Sequence, residues 1–466
     1  MHRRTTLWTV LSALTVTAVT GPMALAAPAP TLAPANASAT ASAPSGDSDL
    51  ERSLQGAAEP LRTPFERSNG ATWTSFAQWR SFWADLDARS ERVRVSTVGR
   101  SGKGRPIDLV TIGHPAPPTA ERAAKGSVLL LNCSIHGDEP SGRESCMSMG
   151  RDLATTTDPH WQRFLARTTV LLIDINPDGW VANTRTNAAG IDVNRDFLDL
   201  KSSEARTLVR VIGDWKPDVL NDLHEYGPRE FYDTQSLTLW PRNLNIDQRV
   251  YRQAKAMVQR YTSPRIEAGG MTDGVYGQLV KDGVPFQQVA GDGQGRILRN
   301  YSGLRHIVGQ LTEAANEPVT AAEKKDPALT NRRRVAVQYA SSVGSAELIM
   351  ERRDAIARTT TGAADRGAAQ GKARAGVVYF GGQDDMIPTK AAEVEAKPMC
   401  GYALTSAQAS SLREVLDLHG VTVKKTADGA FVPMAQSMRG LIPLLLDKRS
   451  EFKIAEATPV ATCPAG

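Results

Sequence analysis

Short apolar runs alternate with helical patterns through the middle of the chain, and this alternation constrains the fold most. Apolar runs typical of strands occupy residues 127–133, 169–175, 219–224 and 306–314. Helical patterns lie between them, over residues 143–153, 204–212 and 248–261. Alternating strands and helices are typical of α/β proteins. We therefore predict a mixed β-sheet with flanking helices.

Length and composition limit the class of protein. The chain has 466 residues, which predicts more than one folded unit, and its 41% apolar and 23% charged residues are ordinary for a soluble globular protein. The formal net charge is only +5, and no dense block of Lys and Arg occurs. Nucleic acid is therefore not an expected partner.

The first 26 residues have the three parts of a secretory signal. Arg3 and Arg4 form a basic start, an apolar stretch covers residues 7–20, and Ala24-Leu25-Ala26 is a small-residue cleavage site. No other stretch reaches the roughly 18 to 20 apolar residues of a membrane span. We expect a secreted, extracellular protein that is not held in a membrane after signal cleavage.

Composition also predicts the boundaries of the units. Residues 27–68 are rich in Ala, Pro, Ser and Thr, which predicts a flexible spacer or pro-region. The main folded domain is expected over 69–358, including a long helix at 332–358. Residues 359–376 are small, charged and poor in apolar side chains, so we predict a linker there. A small α/β or β-rich C-terminal domain follows at 377–466.

Four cysteines in an exported chain permit disulfides. Cys400 and Cys463 both lie in the C-terminal region, and a bridge between them is expected. Cys133 and Cys146 can either pair or remain buried thiols.

The clearest chemistry lies where the strands end. His136 and Glu139 follow the first apolar run, and His224 ends a later one. Carboxyl ends of strands in open α/β sheets form ligand sites. Two His and one Glu are a ligand set of catalytic zinc sites that keep a position open for water. We predict one Zn²⁺ held by these three residues.

Further motifs extend this pattern. Asn176-Pro177-Asp178-Gly179 follows the second apolar run, and Gly190-Ile191-Asp192-Val193-Asn194-Arg195-Asp196-Phe197 follows shortly afterwards. With H-x-x-E before them and a strand-end His after them, the chain resembles the zinc carboxypeptidases of the carboxypeptidase A type, the M14 metallopeptidases, over residues 73–318. The resemblance implies the same α/β fold.

The resemblance also implies roles for single residues. Glu313 matches the family's general acid and base, with Glu317 as the alternative register, and Arg185 matches the arginine that stabilises the oxyanion. Asn194 and Arg195 match the pair that binds the substrate's terminal carboxylate. Asp192 matches the carboxylate that orients a zinc-binding His, and Asp222 is a second candidate for such a role. Tyr301 is the nearest residue to the family's mobile substrate-binding tyrosine, although the spacing to Glu313 departs from the family's pattern.

Three functions remain open from the sequence. The leading one is a secreted, monomeric zinc metallocarboxypeptidase that removes C-terminal residues from peptides or proteins. The second is an amidase or peptidase of the same fold acting on cell-wall stem peptides, although no wall-binding repeat is recognisable. The third is a zinc-less binding module.

Overall fold

An eight-stranded mixed sheet forms the centre of the protein, as the sequence predicts. The computed structural model describes residues 61–227, 232–281, 284–288, 291–382, 384 and 389–463. The predicted signal at 1–26 and the spacer before residue 61 lie outside these residues. The strand order is β1-β2-β4-β3-β5-β10-β6-β7. These strands are β1 (Val93–Arg100), β2 (Pro106–Ile112), β3 (Ser127–Ser134), β4 (Thr168–Asp174), β5 (Val219–Tyr226), β6 (Ser236–Leu239), β7 (Asp273–Val275) and β10 (Val308–Ala315).

The four central strands run parallel. β3 pairs with β4 on one side and β5 on the other, and β10 pairs with β5. β2 and β6 join this core antiparallel. A separate hairpin consists of β8 (Gln278–Lys281) and β9 (Val284–Gln288). Because parallel strands all end at the same edge of the sheet, residues that follow β3 and β5 meet there.

Helices cover both faces of the sheet. They are α1 (Pro64–Arg67), α2 (Phe76–Arg89), α3 (Ala120–Ala123), α4 (Ser141–Thr155), α5 (Pro159–Leu165), α6 (Pro177–Ala182), α7 (Ser203–Trp215), α8 (Gln248–Met257), α9 (Ser263–Ala268), α10 (Leu298–Leu304), α11 (Ala321–Lys325) and α12 (Pro327–Ala373). Leu130 packs in one hydrophobic cluster, whereas its neighbours Leu129 and Leu131 pack in another. Alternate side chains of a strand point to opposite faces, so both faces are buried, and this accounts for the continuous apolar runs.

The C-terminal region forms a small sheet with the order β14-β15-β13-β16. Its elements are β11 (Val378–Tyr379), β12 (Val394–Glu395), β13 (Gly401–Thr405), α13 (Ser406–Ser411), α14 (Arg413–Leu418), β14 (Lys424–Thr426), β15 (Gly429–Pro433), α15 (Ile442–Leu446) and β16 (Thr458–Val460). The predicted Cys400–Cys463 pair is a disulfide, and Cys133 and Cys146, whose pairing the sequence left open, form a second one. Cys133–Cys146 joins β3 to α4, and Cys400–Cys463 joins the residue before β13 to the chain after β16.

The predicted linker at 359–376 is wrong, because α12 continues through it to Ala373. The small residues have a packing role. An added Cβ at Gly367 would lie 2.8 Å from the Ser437 carbonyl oxygen, and one at Gly371 would lie 1.9 Å from that of Met434. Small residues four apart lie on one helix face. They allow the backbone of the C-terminal region to lie directly against α12.

The C-terminal region shares its hydrophobic core with the large sheet. Phe380, Tyr402 and Leu444 lie in the same buried cluster as Leu198 and Tyr301. The described residues fall within one compact unit, Asp47–Gly466. The expected flexible spacer also ends earlier than predicted, because α1 lies within 61–68 and carries a capping box at Thr63.

Among the described residues, no helix has the length and apolar character needed to cross a membrane.

Candidate zinc site and active-site cavity

The loop after β3 presents His136 and Glu139 and is held by its own hydrogen bonds. The Glu139 amide donates to the His136 carbonyl oxygen at 3.1 Å, and the Ser134 hydroxyl donates to the same oxygen at 2.7 Å. From α4, Arg143 donates to the Gly137 carbonyl oxygen at 3.1 Å and lies over the Trp180 ring. No sequence pattern near Arg143 indicates that it supports this loop.

The Asn176-Pro177-Asp178-Gly179 motif packs directly on this loop. The Asn176 side-chain amide donates to the Ile135 carbonyl oxygen at 2.8 Å, while its oxygen caps α6 by accepting from the Gly179 amide at 3.0 Å. An added Cβ at Gly137 would lie 1.9 Å from the Gly179 carbonyl carbon. Glycine is therefore required at Gly137 by the close approach of two backbones.

Three metal-ligating side chains converge beside this loop. The ligand atoms of His136, Glu139 and His224 all lie within 4.8 Å of one another, and all three side chains are buried. The Nδ1 atoms of the two histidines are 3.1 Å apart. Glu139 Oε1 lies 2.7 Å from His136 Nδ1, and its Oε2 lies 2.9 Å from His224 Nδ1.

The other ring nitrogen of each histidine faces a carboxylate. His136 Nε2 lies 3.2 Å from Asp192 Oδ1, and His224 Nε2 lies 3.0 Å from Asp222 Oδ2. A proton on each Nε2 leaves the lone pair of each Nδ1 directed at the common centre. Carboxylates in this position fix the tautomer and orientation of metal-binding histidines. Asp192 and Asp222 thus occupy equivalent positions, each beside the Nε2 of one of the two histidines.

This donor set fits a zinc ion. The Nδ1 atoms of His136 and His224 and the Glu139 carboxylate all face one point. Without a cation the lone pairs of the two Nδ1 atoms would face each other, which is unfavourable. A metal ion at this point would accept both lone pairs. Nitrogen and oxygen ligands in this number match catalytic zinc sites. His136, Glu139 and His224 could therefore hold one Zn²⁺, as the sequence predicts.

Glu313 lies on β10 directly beside His224 on β5, because the two residues are register partners in the parallel pair. Its carboxyl is buried, and Oε2 has no hydrogen-bond partner among the residues that the structure describes. Burial raises the pKa of Glu313 to about 7. The alternative, Glu317, is exposed and lies beyond the end of β10.

Arg185 reaches the ligand cluster from the loop after α6. Its guanidinium donates to Asp192 Oδ2 at 3.0–3.1 Å, and its Nη1 lies 3.5 Å from Glu139 Oε1. The side chain is 46% exposed, so it is open to a ligand in the cavity. A cation is thereby fixed beside the converging ligands.

Asn194 and Arg195 also line the cavity. The Asn194 amide nitrogen lies 3.1 Å from His224 Nε2, and its oxygen accepts from the Leu298 amide at 2.9 Å. Arg195 is exposed, donates to the Asn194 carbonyl oxygen at 2.9 Å and forms no ion pair with any described residue. Its guanidinium can therefore accept an anionic ligand.

The expectation that Tyr301 contacts substrate is wrong. Tyr301 is 0% exposed, stacks on Phe197, and its hydroxyl bonds to His419 Nδ1 at 2.9 Å and to Arg305 Nη1 at 2.7 Å. It belongs to α10, and the side of that helix it occupies faces the C-terminal region. Sequence spacing alone could not identify that side.

The cavity has a volume of about 540 Å³ and contains residues that sequence reasoning missed. Tyr276, Arg296 and Arg299 line it, and none of them belongs to a recognisable motif. Glu225 was also missed. Its amide donates to Glu139 Oε2 at 3.1 Å, and its carboxylate pairs with Arg334.

Part of the chain matches a known protein family. A family model described as zinc carboxypeptidase matches residues 79–277. This range contains His136, Glu139 and His224. Over this region the chain is similar to zinc carboxypeptidases.

The chain is similar to Carboxypeptidase 2 of Trichophyton rubrum, with 25% identity over 227 residues, which is 46% of this chain and 41% of the relative. It is also similar to Carboxypeptidase Z of Rattus norvegicus, with 30% identity over 179 residues, covering 34% of this chain and 26% of the relative. The chain thus spans less than half the length of these curated relatives. Among solved structures, a metallo-carboxypeptidase from Burkholderia cenocepacia aligns with a TM-score of 0.45 and 19% identity, covering 60% of this chain and 70% of that one.

Proposed function

We propose that this protein is a zinc metallocarboxypeptidase that hydrolyses C-terminal residues from peptides or proteins. The observation that carries the proposal is the meeting of a His₂Glu cluster, the buried carboxyl of Glu313 and the unpaired cation of Arg195 in one cavity. Metal ligands, a proton acceptor and a carboxylate-binding group are the parts that exopeptidase chemistry needs. The similarity of residues 79–277 to the zinc carboxypeptidase family model also supports the proposal.

Each residue has a chemical task under this proposal. A bound zinc would activate water and polarise the scissile carbonyl. Glu313 takes the proton of the attacking water and returns it to the leaving amine, and a pKa raised by burial suits a group that must do both near neutral pH. Arg185 supplies positive charge where the oxyanion develops. Asp192 and Asp222 hold the histidine rings in place.

Arg195 gives the proposal its exopeptidase character. A planar guanidinium binds a carboxylate through two parallel hydrogen bonds, and Arg195 has no carboxylate partner among the described residues. Asn194 lies beside it and also faces the cluster. A peptide with a free C-terminus can satisfy Arg195, whereas an internal peptide bond offers no such charge.

We also propose that the protein acts outside the cell as a monomer. The signal-like pattern at 1–26 supports export, and two disulfides suit an oxidising compartment.

The sharpest test compares free-acid and amidated forms of one peptide in wild type and Arg195→Ala. Wild type should prefer the free acid by about 2 to 5 kcal/mol, or roughly thirty- to several-thousand-fold in kcat/KM, because the amide leaves Arg195 unpaired. Arg195→Ala should lose most of this preference through a lower rate on the free acid. Equal rates of wild type on both forms would overturn the carboxypeptidase proposal in favour of an endopeptidase or amidase.

A second test separates metal binding from proton transfer. Glu313→Gln should retain one zinc per chain and lose several orders of magnitude in kcat, because only the proton acceptor is removed. His224→Ala should lose both zinc and activity, because a three-ligand site loses most of its affinity with any one ligand. Metal analysis and single-substrate kinetics on the two variants measure this. Wild-type protein that binds no zinc would instead support the zinc-less binding module.

A further inference from the structure

The cavity continues well beyond the zinc cluster. It runs from His136 and His224 past Glu313 and Leu311 on β10 to Tyr276 and Arg299. Leu311 and Glu313 are two apart on one strand, so they face the cavity from the same side. The part beyond Leu311 is the distal end of the cavity, and it lies where β10 pairs with β6.

Arg299 forms the floor of the distal end. Its side chain is 1% exposed, and its guanidinium donates to carbonyl oxygens of Trp240 at 3.1 Å and Asp292 at 2.8 Å. Within the described part of the chain, its Nε has no hydrogen-bond partner. No carboxylate among the described residues forms an ion pair with it. A buried guanidinium that contacts only neutral acceptors keeps an uncompensated charge.

The carboxylates near Arg299 have other partners. Asp292 accepts hydrogen bonds from both the backbone and side-chain amides of Gln294, and Asp384 pairs with Arg242 at 3.0 Å. Burial and the neighbouring Arg242 lower the pKa of Arg299 to about 10, and Asp292 and Asp384 only partly oppose this shift. Arg195 and Arg296 line the same cavity. An anion at this end would be stabilised by all three arginines.

The distance from Glu313 to the contact between Arg299 and Trp240 is about the length of one amino-acid side chain. Trp240, whose carbonyl Arg299 contacts, follows directly on Leu239, the register partner of Leu311. Trp240 therefore lies opposite residue 310, which is three residues before Glu313 on β10. At about 3.3 Å per residue, the distance along the strand from Glu313 to the position opposite Trp240 is roughly 10 Å. A glutamate extends about 6 Å from its backbone nitrogen to its carboxylate, and a hydrogen bond adds about 3 Å.

We infer that the distal end selects substrates whose C-terminal residue is acidic, with Arg299 as the specificity-determining residue. This inference rests on the proposed carboxypeptidase function. Arg195 would bind the terminal carboxylate, and Arg299 would attract the side-chain carboxylate from the floor. Glutamate fits the distance better than aspartate. A terminal lysine or arginine would place a second cation among three arginines and is disfavoured.

The test measures kcat/KM on acetyl-Ala-Ala-X free acids with X as Glu, Gln, Leu and Lys. Glu and Gln have the same shape, so their ratio isolates the side-chain charge. Wild type should prefer Glu over Gln by on the order of 10- to 100-fold, the effect of one charge-assisted hydrogen bond. Arg299→Met should bring the ratio close to one, and Arg299→Lys should keep part of it.

The ratio does not depend on how much of a variant is correctly folded, because both substrates sample the same active molecules. Competitive inhibition by free glutamate and glutamine provides an independent binding measurement with the same expected order. Faster release of Leu or Lys than of Glu by wild type, or an unchanged Glu/Gln ratio in Arg299→Met, would overturn the inference and leave the carboxypeptidase proposal standing. Failure to release any of the four residues would instead count against the carboxypeptidase proposal itself.

Discussion

At the scale of single residues, the zinc site depends on two carboxylates that do not contact the metal. Asp192 Oδ1 lies 3.2 Å from His136 Nε2, and Asp222 Oδ2 lies 3.0 Å from His224 Nε2. Asp222 is fully buried, and its other oxygen accepts from the Asn132 side chain at 2.7 Å. The carboxylate is therefore fixed before any metal binds, and the His224 ring is fixed with it.

Asp222→Asn should weaken zinc binding by about 10- to 100-fold, the usual effect of removing such a carboxylate. An amide is less able to hold the proton on Nε2 and to increase the basicity of Nδ1. Competition against a chelator of known affinity measures the change. Asp218→Asn is the control, because Asp218 precedes β5 at the opposite end, where it accepts from the Val128 amide at 3.0 Å. Equal zinc affinity of wild type and Asp222→Asn would show that the carboxylate has no such role.

Residues in local motifs could be predicted from the sequence, whereas residues brought together only by the fold could not. His136 and Glu139 are three apart in one loop, so their proximity follows from the chain itself. Arg299 reaches the cavity only because α10 packs against the segment that follows β6, where Arg299 contacts the Trp240 carbonyl oxygen, and no pattern near Arg299 indicates this. The error at Tyr301 has the same origin, because the direction of a side chain on α10 depends on which elements cover that helix.

At the scale of elements, the site is built where two loops at the strand ends pack backbone to backbone. The loop after β3 carries two ligands, and the turn that starts α6 lies directly on it. The sequence predicted both loops from the apolar runs before them. It could not predict their contact, since that depends on β3 and β4 being neighbours in the sheet.

Gly137→Ala should displace this loop, because its new Cβ would lie 1.9 Å from the Gly179 carbonyl carbon and 2.2 Å from the Trp180 amide nitrogen. We expect a loss of stability on the order of 1 to 3 kcal/mol, as for other overpacked sites, together with weaker zinc binding. Thermal unfolding and metal analysis provide the two measurements.

Gly213→Ala is the matched control for this substitution. Gly213 lies inside α7, and an added Cβ there meets no atom within 4 Å. Alanine in an open helix position should stabilise the protein by about 0.4 to 1 kcal/mol. The proposed contact between the loops would be refuted by a Gly137→Ala protein as stable and as rich in zinc as wild type.

At the scale of the whole molecule, the C-terminal region is part of the fold that supports the site. His419 ends α14 and is 0% exposed. Its Nε2 bonds to the Leu198 carbonyl oxygen at 3.0 Å, shortly after the Asn194-Arg195 segment, and its Nδ1 bonds to the Tyr301 hydroxyl at 2.9 Å. The role of His419 as a bridge to the catalytic part depends on contacts distant in sequence, which no local pattern indicates.

Burial lowers the pKa of His419 to about 3, which makes stability depend on pH. An unfolded chain has a histidine pKa of about 6.5, so between these values the unfolded state binds the extra proton. The contribution of neutral His419 to the free energy of unfolding is therefore complete above about pH 6.5. It is lost as the pH falls from about 6.5 towards the folded-state pKa of about 3. At pH 5 the loss should be about 2 kcal/mol relative to pH 7.5, at about 1.36 kcal/mol per pH unit.

His419→Gln isolates this contribution, because glutamine can donate to Leu198 and accept from Tyr301 but does not titrate. The stability advantage of wild type over His419→Gln should shrink by about 2 kcal/mol between pH 7.5 and pH 5, and other titrating groups cancel in the difference. Urea unfolding at matched zinc concentrations measures it. Tyr301→Phe, which removes a hydrogen bond but no titrating imidazole, should show a nearly constant deficit. A constant deficit for His419→Gln as well would mean that the imidazole takes up a proton in the folded state, which its two buried contacts argue against.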